Sequence, residues 1–357
     1  MDWVRGETLG RGSFGTVNLA IPRVKTSASS GTSTPQLMAV KSCCASNFAS
    51  LINEKSILDE FRDCPEIIQC YGDSYSYDNG EKLYNVFLEY ASGGSLSDKL
   101  KNSSDRGLPE IQISNYTKGI LRGLNRIHKK GFVHCDMKLQ NILLSQDGAV
   151  KIADFGLAKR IGQASIGFEL RGTPLYMSPE MVAGGNQGTP ADIWAVGCLV
   201  AEMATGAPVW RSTDMAALLM KIGIGDEVPE IPANFSAEGK DFLGKCFIKD
   251  PTRRWTAKML LDHPFLASCQ DEDDDIPPPL KDAQVEGPST SPRSAFDFPD
   301  WTSQQSSSLT FSITSTAESS SWFPGGSGSK FGAERVRELV SDQQPDWSVS
   351  DDWVTIR

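Results

Sequence analysis

The sequence predicts an α+β domain over residues 3–266, followed by a segment, 267–357, without a core of its own. Three observations predict it. Short apolar runs punctuated by glycine fill the first ninety or so residues, with one helical stretch among them. Ile113, Tyr116, Ile120, Leu124 and Ile127 then recur at helical spacing. Near Leu266 the composition changes: Asp271-Glu272-Asp273-Asp274-Asp275 runs into Pro277-Pro278-Pro279 and a long Ser/Thr-rich tract with few aliphatics. Such a tract cannot bury enough apolar surface to offset its chain entropy, so disorder is expected there.

The elements follow in chain order. Leu9-Gly10-Arg11-Gly12-Ser13-Phe14-Gly15-Thr16-Val17 reads as a glycine-rich turn between two strands, able to bring backbone close to a phosphate. By itself it is equally an ordinary turn. Arg23 to Gln36, rich in Ser and Thr, is a loop joining the second and third strands. Met38-Ala39-Val40-Lys41 is an apolar run ending in lysine. Alone, that lysine is a solvated strand end; behind a glycine-rich turn it becomes a phosphate ligand. Asn47 to Phe61 reads as a helix, on which Glu60 is an ordinary surface acid. Val86-Phe87-Leu88-Glu89-Tyr90-Ala91-Ser92-Gly93-Gly94-Ser95-Leu96 is a buried strand running into a glycine turn. The stripe from Ile113 to Ile127 is core packing, and Gly131 is placed to end its helix.

His134-Cys135-Asp136-Met137-Lys138-Leu139-Gln140-Asn141, followed by Asp154-Phe155-Gly156, is the most informative part of the chain. It resembles the protein kinase pattern H-R-D-L-x-x-x-N and D-F-G. The resemblance spans residues 3–266. It implies a two-lobed protein kinase fold, with a β-rich N-lobe carrying one long helix (3–89) and a mostly helical C-lobe (90–266). It implies ATP and Mg2+ as cofactors. Asp136 would take the proton of the acceptor hydroxyl, Lys138 would reach the γ-phosphate, and Asn141 and Asp154 would bind the metal. Lys41, braced by Glu54, would hold the α- and β-phosphates. The nucleotide would meet the Leu9–Val17 run, Ala39, Lys41, the gatekeeper Leu88, the backbones of Glu89 and Ala91, and Leu143. Glu180 would pair with Arg254, and Asp192 would brace the catalytic loop; these three are structural.

Lys138, two residues after the base, is the serine/threonine pattern. Gly172-Thr173-Pro174-Leu175-Tyr176-Met177-Ser178-Pro179-Glu180-Met181-Val182 resembles the G-T-P-x-[WY]-M-[AS]-P-E-V segment of MAP kinase kinase kinases, as does the Glu89–Leu96 hinge. Cys135, where most kinases carry Arg, is similar to the plant MEKK-like branch. The resemblance implies phosphorylation of Ser or Thr on a MAP kinase kinase. Two other readings stay open: a kinase-fold scaffold whose tail recruits partners, and an active Ser/Thr kinase with substrates outside that cascade. Leu139 departs from the usual Pro. Cys135 has a mechanistic consequence, because a thiol cannot pair with an activation-loop phosphate. Activity is then expected not to need phosphorylation between Lys159 and Arg171, where Ser165 is the candidate modified residue. Alternatively Arg171 or Lys159 supplies the missing cation, or the thiol has a redox role. Thr173 is expected to contact Asp136 and Lys138 as a substrate-positioning hydroxyl.

Composition sets the outer limits. A two-lobed catalytic domain takes most of the 357 residues and leaves no room for a second folded one. No stretch is apolar enough to span a membrane, and the N-terminus carries neither a signal peptide nor a myristoylation pattern. The eight cysteines are scattered, which points to reduced thiols in cytoplasm or nucleus rather than a zinc site or disulfide framework. Residues 270–357 hold six Lys and Arg against sixteen Asp and Glu, which accounts for the whole net charge of −10. The remainder is formally neutral, which argues against nucleic acid as a partner. Phe296, Phe298, Trp301, Phe311, Trp322, Phe323, Trp347 and Trp353 punctuate the tail and are expected to dock on the kinase domain, an upstream regulator or a scaffold. Ser291-Pro292 is a proline-directed phosphorylation site.

Overall fold

The computed structural model describes residues 2–267, apart from 13–14, 24–35, 45–47, 79, 104–106, 163–170, 185–186 and 213. Ser13, Phe14, Ser165, most of the Arg23–Gln36 insertion and the tail beyond Ala267 therefore lie outside the described residues.

Strands β1 (Trp3–Gly12), β2 (Gly15–Pro22), β3 (Met38–Cys44), β4 (Cys70–Asp78) and β5 (Glu81–Glu89) form one antiparallel sheet in the order β1-β2-β3-β5-β4. β3 lies mid-sheet with nearly every residue buried. That explains its unbroken apolar run, since neither face meets water. The β1–β2 turn depends on Gly15, whose φ is +139°; a Cβ there would lie 2.4 Å from the Ser42 carbonyl oxygen. Helix α1 (Phe48–Asp59) buries Leu51, Glu54, Ile57 and Leu58 beneath the sheet. It stops at Asp59, two residues short of the predicted Phe61, while Asn47 lies outside the described residues. Its end tightens instead, with Glu60 N–H bonding the Ile57 carbonyl and Phe61 N–H the Leu58 carbonyl. Glu60 stays at the surface and pairs with Arg160 at 3.3 Å.

The outer face of the sheet carries a polar ladder. The Arg5 guanidinium donates to Asn18 Oδ1 (3.2 Å), Ser42 Oγ (2.8 Å) and Asn85 Oδ1 (3.1 Å), and Asn85 Nδ2 donates to Ser76 Oγ (2.9 Å). Arg5 thus ties β1 to three other strands, and Asn85 carries the ladder on to β4. Beside it Ala20, Met38, Val40 and Phe87 form a small apolar cluster capped by Trp3.

The second lobe is helical. It comprises α2 (Leu96–Lys101), α3 (Glu110–Lys129), α4 (Pro179–Val182), α5 (Thr189–Thr205), α6 (Met215–Gly223), α7 (Ala237–Cys246) and α8 (Ala257–Leu261). Short strand pairs β6 (Phe132–Val133) with β9 (Lys159–Arg160), and β7 (Ile142–Leu144) with β8 (Val150–Ile152), frame the loops between them. α2 opens with a capping box: Asp98 N–H donates to Ser95 Oγ, and Ser95 N–H to the Asp98 carboxylate. In α3 the predicted stripe is buried, with Ile113, Ile120, Leu124 and Ile127 inaccessible to solvent and Tyr116 half-buried. The helix ends at Lys129, and Gly131 turns the chain at φ +80°. α5 is buried almost end to end and forms the axis of this lobe. Its start is anchored by Arg254, whose guanidinium grips both Glu180 carboxylate oxygens (2.7 and 2.9 Å) and three backbone carbonyls. This is the predicted Glu180–Arg254 pair.

Candidate active site

The site is built on the loop between β6 and β7. Asp136 and Asn141 are held together by a 3-10 turn, Leu139–Asn141, and Asn141 Nδ2 donates to both the Asp136 carbonyl (2.9 Å) and its carboxylate Oδ2 (3.1 Å). Lys138 Nζ lies 2.8 Å from Asp136 Oδ2. The Thr173 hydroxyl donates to Asp136 Oδ1 at 2.8 Å and accepts from Lys138 Nζ at 3.2 Å. The three side chains close a triangle, the contact expected of Thr173. A hydroxyl already bonds the carboxylate there, so an acceptor hydroxyl has a chemically matched place to bring its proton.

A second cluster joins the two lobes. Lys41 Nζ lies 2.6 Å from Glu54 Oε2 and 2.8 Å from Asp154 Oδ1. Burial alone would lower the Lys41 ammonium, but Asp154 and Glu54 outweigh it and hold it above its ordinary value. Burial also opposes ionisation of Asp154, yet Lys41 draws its carboxyl down to about 2. Asp154 takes φ +62°, a left-handed conformation. That turn is supported from beneath: Phe155 is fully buried, its ring 4.9 Å from His134 and 5.9 Å from Phe61, and His134 Nε2 lies 3.1 Å from the Ala153 carbonyl.

The donor set suits a hard cation. Asn141 commits its amide nitrogen to Asp136, so its amide oxygen is the atom it can offer a metal, and Asp154 brings a carboxylate ionised throughout the physiological range. Oxygen ligands in small number, with the rest from phosphate and water, are what Mg2+ prefers. Bound there with ATP, Mg2+ would neutralise phosphate charge. On the nucleotide side, Leu9, Val17, Ala91 and Leu143 are half-buried apolar side chains packed on the core, and Ala39 and Leu88 are buried. Sheet register sets Ala39 opposite Leu88 and Val17 opposite Lys41. Gly10 and Arg11 face Val17 and Thr16 across the turn, and a Cβ at Gly12 would meet only open space. The Glu89 side chain is anchored by Lys151 at 2.7 Å, and Gly93 N–H bonds the Leu144 carbonyl, which docks the hinge onto β7.

Asp192 braces the loop as expected. Its Oδ2 accepts from His134 N–H (2.9 Å) and its Oδ1 from Cys135 N–H (3.0 Å). Two contributors were not legible in the sequence. His128 Nε2 lies 2.9 Å from Asp192 Oδ2, and Gln187 Nε2 donates to the Cys135 carbonyl at 3.3 Å. His128 directly follows Ile127 of the apolar stripe, and that position was the only signal available. Cys135 itself is buried, with φ +69°. Burial, then Asp192, pushes its thiol far above the ordinary range, so it stays protonated and unreactive at neutral pH. That disfavours the redox reading. Lys159 and Arg171 act on the thiol in the opposite sense, which places both candidate replacement cations beside it.

Two lobes clasping these clusters define a phosphotransferase. Residues 3–266 match the protein kinase domain model. The chain is 46% identical to mitogen-activated protein kinase kinase kinase 20 of Arabidopsis thaliana over 100% of both chains. It is 39% identical to mitogen-activated protein kinase kinase kinase 17 of that plant, over 85% of this chain and 78% of the other. With kinase kinase kinase 18 the identity is 41%, over 76% and 79% respectively. The chain belongs to the protein kinase family, among the MAP kinase kinase kinases. It is a serine/threonine protein kinase that uses ATP and Mg2+.

Proposed function

We propose that this kinase phosphorylates Ser or Thr of a MAP kinase kinase. The observation that carries the substrate is the similarity to kinase kinase kinase 20, which extends over the entire chain, tail included. In the chemistry, Asp136 accepts the proton of the acceptor hydroxyl as its oxygen attacks the γ-phosphorus, the bond from that phosphorus to the β,γ-bridging oxygen breaks, and ADP leaves. Lys138 balances charge on the phosphoryl being transferred, and Thr173 holds base and lysine in register. Lys41, fixed by Glu54, positions the remaining phosphates, and Asn141 and Asp154 would hold the metal. The tail serves as a docking segment for regulators or scaffolds.

The test is a radiolabelled transfer assay on a MAP kinase kinase made catalytically dead, using wild type and Asp136→Asn. Wild type should label it, and Asp136→Asn should lower kcat at least ~10²-fold, as loss of general base catalysis does, with the thermal midpoint kept. Wild-type turnover in Asp136→Asn would remove the base assignment. Labelling of a generic basic protein but not the MAP kinase kinase would move the substrate elsewhere.

A further inference from the structure

In the catalytic loop the least comfortable residue is Cys135. A β-carbon at φ +69° is strained, because left-handed backbone crowds Cβ against the following carbonyl. Something must hold it there, since Asp136 hangs from the next peptide. The N–H of Cys135 is taken by Asp192, in the first turn of α5. Its carbonyl is taken by Gln187, just ahead of the Gly188 that caps the same helix. Gln187 and Asp192 are both buried. The same carbonyl is approached by Gly172 of the activation segment, where a Cβ would fall 2.5 Å from it. One oxygen thus joins the base-bearing loop, the activation segment and the start of α5. In the usual kinase arrangement an Arg at this position ties the loop to the activation segment through a phosphate; here the activation segment packs at Gly172 directly against the loop's carbonyl.

We propose that Gln187 is a positioning residue for phosphoryl transfer: by holding the Cys135–Asp136 peptide it fixes the base without a phosphate on the activation segment. Its contact is to a peptide, so the effect falls on the chemical step rather than on nucleotide binding. The role rests on the phosphotransfer chemistry but not on the identity of the protein substrate, so a generic acceptor protein reads it.

The test uses the full chain. Gln187→Met keeps length and loses the donor; Gln187→Glu keeps shape and sets an acceptor against the carbonyl. Both should lower kcat roughly tenfold, since small displacements of a catalytic group cost that or more. The KM for ATP should stay within about twofold, and the loss should be the same before and after phosphatase treatment. In a Cys135→Gly background, where positive φ carries no Cβ strain, the further loss on adding Gln187→Met should shrink to about twofold or less. An unchanged kcat in both single variants overturns the role. So does a tenfold loss that persists undiminished beside Cys135→Gly, since that marks general loosening. Loss of activity on phosphatase treatment of wild type overturns the phosphate-independent part. If Gln187→Met does not fold, Gln187→Glu carries the same comparison.

Discussion

Thr173 shows how a single hydroxyl can be examined without touching the base beside it. It donates to Asp136 and accepts from Lys138, so its loss opens the triangle and leaves Asp136 Oδ1 without that donor, while the direct Lys138–Asp136 contact remains. Thr173→Val keeps the volume and removes both bonds; a net hydrogen bond to a charged group contributes about 1.5–3 kcal/mol. Thr173→Val should therefore lower kcat by about ten- to a hundredfold, while Thr173→Ser keeps most of the rate. Equal turnover in Thr173→Val and wild type would leave the hydroxyl without a part in the reaction. At this scale the sequence was readable where chemistry demands close spacing. Asp136, Lys138 and Asn141 lie on one short loop, and Asp154 follows soon after, so order along the chain is nearly order in space. Arg5, His128 and Gln187 were hidden for the opposite reason. Their partners lie far off in sequence (Asn85, Asp192 and Cys135), and neither periodicity nor a local motif records such contacts.

Among the elements, α5 does the most to organise the site. Its first turn holds the catalytic loop through Asp192, and its last turns reach the activation segment, where the Tyr176 hydroxyl donates to Glu202 Oε2 at 2.6 Å. Asp192, in its first turn, was legible as the brace of the catalytic loop, and the apolar composition of the helix reflects burial on all sides. The charged residue near its end was not. Burial raises the Glu202 carboxyl to about 7, with the Tyr176 bond pulling the other way. The protonated form is thus favoured by folding. Its contribution to stability is complete below about pH 4.5, the ordinary carboxyl value, and is lost as pH rises through about 7. The span corresponds to roughly 3 kcal/mol. Glu202→Gln keeps an acceptor for Tyr176 and removes the titration. It should raise the thermal midpoint more at pH 8 than at pH 5.5, flattening the pH dependence of stability. Parallel melting curves for the two proteins across that range would mean Glu202 is not ionising inside the fold.

For the molecule as a whole, the sharpest division is between a formally neutral catalytic domain and residues 270–357, which carry the entire net charge. The catalytic core closes without that segment. Phe265 packs on Phe235 and Phe242, Leu266 is 2% exposed, and the Phe265 carbonyl accepts from Ser114 Oγ at 2.8 Å. Every one of these contacts survives a chain cut after residue 267. Deleting residues 268–357 should therefore move the thermal midpoint by no more than about 2 °C, a shift of about 1 kcal/mol at most in a domain of this size. It should also change either the phosphorylation rate or the set of captured partners. Charge alone is a weak means of doing so, because screening confines it to about 8 Å at physiological ionic strength. A tail that acts through its aromatic anchors should keep its effect in 0.5 M salt, and one that acts through its acidic run should lose it. Rate and partner capture, measured for full-length and truncated chains at both ionic strengths, separate the two. A large fall in melting temperature would show the tail to be part of the folded core, and identical rates and partners at both salts would leave it without a regulatory part.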